Sequence, residues 1–323
     1  MKKIFLIILG GMLALLLGVG GTAIGRPKHS AGNPSEISAF PEAFVTETAE
    51  QEGIQLSAED PALNAGNWKG KFADCFSSTA ETGPDFYRSP DIAIEVTEVT
   101  DRTVPVVYFV ADIHIAQLEN FQTAFAGDGY RRWASENILT AAERHGAILC
   151  MNGDYADAQK TGLLIRNGKL YLSEQTRNDI CVMYRDGTVK TYAPAEYRAE
   201  DIIARSPWQV WKFGPALLDS EGNPLKSFNT SQEILRKNPR SGFGYYEPGH
   251  YCFIVVDGRQ DGYSKGMEIS RFAQLFSDLG CKAAYNLDGG QSSVLSLNGK
   301  ICSKPCKGGR DSGDFLMICE LPG

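Results

Sequence analysis

Basic residues are not in excess: 32 lysines and arginines stand against 39 aspartates and glutamates, giving a net charge of −7. That balance argues against a nucleic-acid partner. Histidine is scarce, with four in 323 residues, and none falls in the H-E-x-x-H pattern of a zinc protease. The eight cysteines include no C-x-x-C, and no His/Cys cluster has zinc-ligand spacing. The run "GRQDGYSKG" has no Lys-Ser/Thr where a P-loop needs it, and no G-x-G-x-x-G is present. A Ser/His/Asp triad cannot be assembled from the sequence. Neither can the His/Asp clusters that two-metal phosphodiesterases commonly use. Low-complexity tracts and fixed-period repeats do not occur after residue 65.

What remains is an ordinary globular composition, 43% hydrophobic and 22% charged. It is preceded by a targeting segment. "MKK" leads into an apolar run from Ile4 to Gly25 with no charge before Arg26. Residues 1–25 therefore read as a signal peptide or a membrane anchor. Either reading puts the remainder outside the cytoplasm, anchored or secreted. Residues 26–65 are polar, acidic and rich in Pro, Ser and Ala, and read as a linker. Residues 66–323 read as one domain. Of the cysteines, Cys150, Cys181, Cys252, Cys281 and Cys319 sit in or beside apolar strand-like runs, where a thiol behaves as a small hydrophobe. Only Cys302 and Cys306 form a loop pair close enough in sequence to bridge.

"DIAIEVTEVT", "VPVVYFVADIHI" and "HYCFIVVDGR" predict strands. "MEISRFAQLFSDLG" places Ile269, Phe272, Ala273, Phe276 and Leu279 on one helical face, with Gly280 as the stop signal. "VLSLNGKIC" predicts a hairpin turning at Asn298-Gly299. Two stretches share one grammar: "RHGAILCMNGD" and "DLGCKAAYNLDGG" each run helix, glycine, apolar strand, Asn-x-Asp. If the two strands lie side by side and parallel, Asn152, Asp154, Asn286 and Asp288 converge at one edge, where ligands bind in α/β sheets. Ordinary turns explain the same residues, since Asn, Asp and Gly all favour them.

Asp288 closes an apolar strand and is followed by Gly289, Gly290, Ser292 and Ser293. A carboxylate beside a flexible turn suits acid, base or nucleophile chemistry, and the turn's N–H groups could face an anion. Arg240, Arg259 and Arg310 each lie beside glycines, where a planar fork can meet phosphate or carboxylate; surface ion pairing explains them equally. His114 follows Asp112 by two, so both face one side of a strand. That spacing suits a metal or acid/base pair, or a structural hydrogen bond. Trp208 and Trp211 could form a sugar platform, though their setting in "SPWQVWKFGP" fits core packing.

Taken in order, "AILCMNGDY", "GLLIRNGKLY", "FGPALLDSEG", "NPRSGFG", "FIVVDGRQDGYSKGMEISRFAQLFSDLGCKAAYNLDGGQSS" and "GGRDSGDFLMI" resemble the phosphodiester glycosidase family. "GKFADCF" and "YFVADIHI" are similar to its bacterial membrane-anchored branch. Gln291 stands where many members have a third glycine. The resemblance implies an α/β (mixed α+β) fold, a mixed β-sheet core with flanking helices, as a single catalytic domain. It also implies hydrolysis of a sugar-1-phosphate diester, with a phosphorylated glycan of the cell envelope or an exopolysaccharide as partner. Asp288, Asp154 and Arg240 are then the catalytic candidates. Asn152, Asn286, Gly289, Gly290, Ser292, Arg310, Asp257 and Arg259 are the substrate-binding ones, with Arg240 and Arg310 on the phosphate. No cofactor is required, although the carboxylates could accommodate a divalent cation such as calcium. The competing expectation is a non-catalytic module binding envelope polysaccharide or a teichoic-acid-like polymer.

Overall fold

The computed structural model describes residues 53–56, 66–156, 158 and 160–322. Residues 1–25 lie outside them, as does the stretch read as linker apart from 53–56. That short piece is not linker. Ile54–Gln55 forms an edge strand pairing with Leu170 and Lys169, and Leu56 packs into the apolar cluster beyond. No helix among the described residues is long and apolar enough to cross a membrane.

Among the described residues, all of which fall in one compact unit, three sheets make the core. The seven-stranded sheet runs, from one edge, Ala283–Asn286, Arg240–Glu247, His250–Val256, Val106–Ile115, Ile92–Asp101, Phe86–Arg88 and Glu81–Thr82. The five-stranded sheet is ordered Lys300–Ile301, Leu295–Leu297, Ala147–Asn152, Asp314–Cys319, Phe121–Phe125. A six-stranded sheet carries Gly162–Arg166 and Gln209–Trp211 at its centre. In Val106–Ile115 the β-branched and small residues alternate between more and less buried faces, as a strand with one face on the core requires. Inner faces of the sheets meet around Phe121, whose ring stands edge-on to Trp211, Phe243, Tyr251 and Phe253.

Helices cover the outer faces. Ile269–Asp278 buries Ile269, Phe272, Ala273 and Phe276 against Cys252, Ile254 and Val256. Each of these aromatic side chains contributes about 1.5–3 kcal/mol by leaving water. Leu279, expected on that face, is the C-cap instead and is exposed. Ile138–His145 covers the five-stranded sheet and stops at Gly146 in the left-handed region, as its sequence demands. The Asn298-Gly299 hairpin forms with positive φ at both residues. All eight cysteines are free thiols, Cys302 and Cys306 included, and the five expected in strands are buried.

The two matching units do not lie side by side. Ala147–Asn152 belongs to the five-stranded sheet and Ala283–Asn286 to the edge of the seven-stranded one, and the ladders between the described strands are antiparallel. Their ends nevertheless meet across the gap between sheets. The Asp288 N–H donates to Gly153 O at 3.1 Å, and Asn152 Nδ2 donates to Asp288 O at 2.8 Å.

Candidate active site

Two adjoining cavities open at this junction, of about 200 and 340 Å³. They lie near the lower end of small-ligand sites, roughly 300 Å³. Asp288 and Arg310 line both. The smaller cavity is completed by Trp133, Asn152, Tyr155, Ser292 and Asp314, and the larger by Asn238, Arg240, Arg259, Asn286, Gly289 and Gly290.

Asp288 sits on the shared wall with 15% of its side chain exposed. Arg310 Nη2 donates to its Oδ2 at 2.9 Å and the Gly289 N–H to its Oδ1 at 2.9 Å. Burial raises its carboxyl above the ordinary range, against the opposing pull of Ser292, Arg310 and the Gly289 amide. Asn152 does not offer its amide to a ligand. Its Oδ1 accepts from Ser241 Oγ at 2.6 Å and Val294 N at 3.2 Å, while Nδ2 holds the Asp288 carbonyl. It clamps the Asp288 turn to the five-stranded sheet.

The expected anion nest is absent. The Gly289 amide is turned to Asp288 and the Gly290 N–H donates to Pro239 O at 3.0 Å. Gly290 is required for another reason: its φ is +68°, and a Cβ there would come 3.2 Å from the Arg259 guanidinium.

Arg240 is buried and largely committed to backbone. Its Nε donates to Met267 O and its Nη2 to Ile234 O and Arg236 O, each at 2.6 Å, leaving only Nη1 towards Asn286 at 3.5 Å. Burial lowers its pKa to about 10. It organises the wall rather than presenting a fork to solvent. Asn286 is similarly engaged, donating to Gly214 O at 2.9 Å. Arg259 and Arg310 are the guanidinium groups that face the cavities on exposed backbone; Arg259 Nη2 donates to Asn238 Oδ1 at 2.7 Å.

Asp154 does not reach either cavity. It is fully enclosed: Arg166 Nη2 donates to its Oδ1 at 2.7 Å and the Lys212 N–H to its Oδ2 at 2.8 Å. The strand ends at Asn152, and the turn at Gly153 swings Asp154 inward. A Cβ on Gly153 would strike the Asp314 carboxylate at 2.3 Å. Arg166 Nη2 also donates to Asp314 Oδ2 at 3.0 Å, so one guanidinium serves two carboxylates. Burial and the neighbouring Asp154 push Asp314 up to about 8, while Arg166 and the Lys212 amide offset desolvation and hold Asp154 below the ordinary value. Burial and the Asp154 charge thus favour the protonated form of Asp314 beneath the smaller cavity. Asp257 is also displaced from both cavities. Its Oδ2 accepts from Tyr263 Oη at 2.8 Å and Lys304 N at 2.9 Å, and burial raises it to about 6.

Several residues in and beneath the cavities escaped the sequence reading. Asp314 and Arg166 lie in "GGRDSGDFLMI" and "GLLIRNGKLY"; an arginine ending an apolar strand was the available signal. Trp133, 61% exposed at the cavity mouth, has no apolar pattern around it. Trp208 and Trp211 are buried, as their setting suggested. Trp133, Tyr155 and Arg259 all have positive φ, +63°, +56° and +56°, and backbone strain of this kind gathers at functional sites. A G-x-S-x-G run at residues 262–266 has the spacing of a nucleophile elbow. Ser264 is nonetheless fully buried, with its hydroxyl donating to Asp257 O at 2.6 Å and accepting from Val107 N at 3.0 Å. It is a structural serine.

A family profile for phosphodiester glycosidases (NAGPA) matches residues 145–319, more than half of the chain and all of the cavity's carboxylates. The chain belongs to the phosphodiester glycosidase family. The SPbeta prophage-derived uncharacterized protein YomE of Bacillus subtilis (strain 168) is 30% identical over 171 residues, 51% of this chain and 26% of that protein. The chain therefore spans about a quarter of that curated relative. Among solved structures, the zebrafish N-acetylglucosamine-1-phosphodiester alpha-N-acetylglucosaminidase catalytic domain, auto-inhibited by its pro-peptide, is similar in fold. It aligns with a TM-score of 0.58 and 21% identity over 84% of this chain and 97% of that one. A hypothetical protein from Synechocystis aligns with a TM-score of 0.50 and 12% identity, covering 73% of this phosphodiester glycosidase chain and 64% of its own. The fold class is thus that of the family.

Proposed function

We propose that this chain is an extracytoplasmic hydrolase, anchored or secreted, that splits a sugar-1-phosphate diester in a cell-envelope or exopolysaccharide-type glycan. One observation carries the reading: a carboxylate and a guanidinium, Asp288 and Arg310, stand together on the wall common to two cavities of different character. The smaller, with the Trp133 and Tyr155 rings, suits a pyranose, whose apolar C–H face packs on aromatic surfaces. The larger, with Arg259 and Asn238, suits the phosphate and the group beyond it. The anomeric carbon then lies at the wall.

In this reading Asp288 acts as a carboxylate. Water adds to the anomeric carbon as the bond from that carbon to the phosphate oxygen breaks. Asp288 takes the water proton, and its charge stabilises the oxocarbenium-like transition state. The leaving phosphate carries the bonding electrons away as a monoester. Arg259 and Arg310 offset its growing charge, so little acid assistance is needed. Arg240 and Asn152 position the wall, and the Asp154–Arg166–Asp314 group holds its floor. None of these steps calls on a cofactor, and calcium is not needed for them.

The test is hydrolysis of UDP-sugars and methyl-phospho-sugars by the full-length chain. Free sugar should be released, and Asp288→Asn should slow release by about 10²–10⁴-fold, the usual contribution of a general base. Full activity in Asp288→Asn refutes the assignment. Silence across the panel, with saturable binding to envelope polymer, would replace the enzyme by a binding module.

A further inference from the structure

Two of the chain's four histidines meet far from the cavities. His114 and His250 are direct cross-strand partners on Val106–Ile115 and His250–Val256, and their rings stack at 4.0 Å with planes 18° apart. Asp112, two residues before His114, reaches both. Its Oδ1 is 2.7 Å from His250 Nε2 and its Oδ2 3.8 Å from His114 Nδ1. One donor atom from each of the three residues lies within 4.8 Å of the others.

A tetrahedral ion bound by two imidazole nitrogens and a carboxylate oxygen at about 2.0–2.2 Å needs donors roughly 3.4 Å apart. The carboxylate–imidazole separations, 2.7 Å through Oδ1 and 3.8 Å through Oδ2, lie on either side of that value, and the set closes when the imidazoles turn out of their stack towards one shared carboxylate oxygen. Phe72 stands edge-on to both rings at 4.9 and 6.1 Å, and Tyr246 stacks on His250 at 4.2 Å. The aromatics wall the imidazoles on the protein side, while Asp112, 45% exposed, leaves an approach from solvent. A structural Asp–His hydrogen bond accounts for His250. It does not account for a second imidazole turned to the same carboxylate.

We propose that Asp112, His114 and His250 bind one divalent transition-metal ion, with Zn²⁺ the best match to two imidazoles and a carboxylate. The fourth position faces solvent and takes water. The ion would clip the two central strands of the seven-stranded sheet. His250 lies six residues, roughly 20 Å, from Val256, which pairs with Arg240 at the cavity. The site is therefore structural and independent of the hydrolytic reading.

The test strips the full-length chain with a chelator, then titrates it with Zn²⁺ against a chromogenic chelator and with Co²⁺ by visible absorption. One ion per chain is expected, with the melting midpoint rising as Zn²⁺ is added. His114→Gln and His250→Gln should each weaken binding at least about tenfold, since even removal of an outer hydrogen-bond partner costs about 10–100-fold. Asp112→Asn, on a more exposed side chain, gives the same comparison if a histidine variant fails to fold. The Co²⁺ spectrum should lack a sulfur-to-cobalt charge-transfer band. The proposal is overturned by an absence of stoichiometric binding, by affinity unchanged in the variants, or by a thiolate band placing the ion on cysteine.

Discussion

Replacing Asp154 and Asp314 by asparagine, singly and together, tests the charge arrangement beneath the smaller cavity. Arg166 is fully buried and donates to both carboxylates, at 2.7 and 3.0 Å. Arg166 and the Lys212 amide offset burial to favour the charged form of Asp154, while burial and that charge favour the protonated form of Asp314. In Asp314→Asn the ion pair with Asp154 survives and the new amide can still donate to it. In Asp154→Asn burial still favours the protonated form of Asp314, but the repelling Asp154 charge is gone and Arg166 remains, so Asp314 should ionise and become the partner of Arg166. Each single change should cost no more than about 1.5 kcal/mol, the worth of a typical hydrogen bond. The double variant leaves Arg166 buried without a counter-charge, and breaking a buried pair costs about 3–5 kcal/mol. The effects should therefore be non-additive, with the double variant melting roughly 6–20 °C lower, at about 2–4 °C per kcal/mol for a domain of this size. Urea unfolding at pH 7 with a common m-value measures it. If the double variant equals the sum of the singles, the shared-charge arrangement is wrong. If Asp154→Asn alone carries the whole loss, Asp314 does not take over the charge.

The pH dependence follows from the same groups. Asp314, raised to about 8 when folded, contributes stability that is complete below its ordinary value and is lost as pH rises through about 8. Unfolding free energy should therefore decline between about pH 4 and 8 more in the wild type than in Asp314→Asn; equal slopes would contradict the assignment. Hydrolysis should rise with pH through the raised pKa of Asp288, on the alkaline side of an ordinary carboxylate. A rising limb in the ordinary range would show that the carboxyl is not desolvated during turnover. Trp133→Ala should raise KM by about 2–13-fold with little change in kcat, matching 0.5–1.5 kcal/mol for an aromatic contact. A fall in kcat alone would place the sugar elsewhere. Gly290→Ala should cost roughly 1–2 kcal/mol from its left-handed backbone and weaken phosphate binding by displacing Arg259, read as product inhibition by a phosphomonoester.

The parts of this molecule that sequence reached are those whose signal is periodic. Val106–Ile115, His250–Val256 and the helix Ile269–Asp278 repeat their apolar residues at the period of the element, and each forms where that period predicts. Asn152 and Asp288 were also legible, because an Asn-x-Asp after an apolar strand marks a chain end that polar groups must occupy. What the pattern could not carry was the direction of a side chain past the end of regular structure. Extending strand alternation to Asp154 puts it beside Asn152, but the chain turns at Gly153 and the carboxylate goes inward to Arg166. The hydrogen bonds of Arg240 and of the Gly289 and Gly290 amides were equally hidden, since their acceptors are Met267, Pro239 and the neighbouring aspartate. Those are tertiary acceptors or a local rotamer, and no spacing encodes them.

This shift of roles has a consequence for how the wall between the cavities is held. Asp288 closes the edge strand of one sheet, and its backbone is tied to the other through Gly153 and Asn152. Gly153 is itself bound by Asp314, its N–H donating to Asp314 O at 2.7 Å. The charge network under the smaller cavity and the carboxylate above it are thus joined by two residues, Asn152 and Gly153. Asn152→Ala separates the two contributions. It leaves the Asp154–Arg166–Asp314 group intact but removes the donor to the Asp288 carbonyl and leaves the Ser241 and Val294 donors unpaired. The expected stability cost is about 1–3 kcal/mol for buried groups without partners. If Asn152 positions Asp288, kcat should fall while the pH near 8 at which the decline in stability ends stays fixed. A change in that pH with kcat unaltered would mean that Asn152 supports the charge network instead.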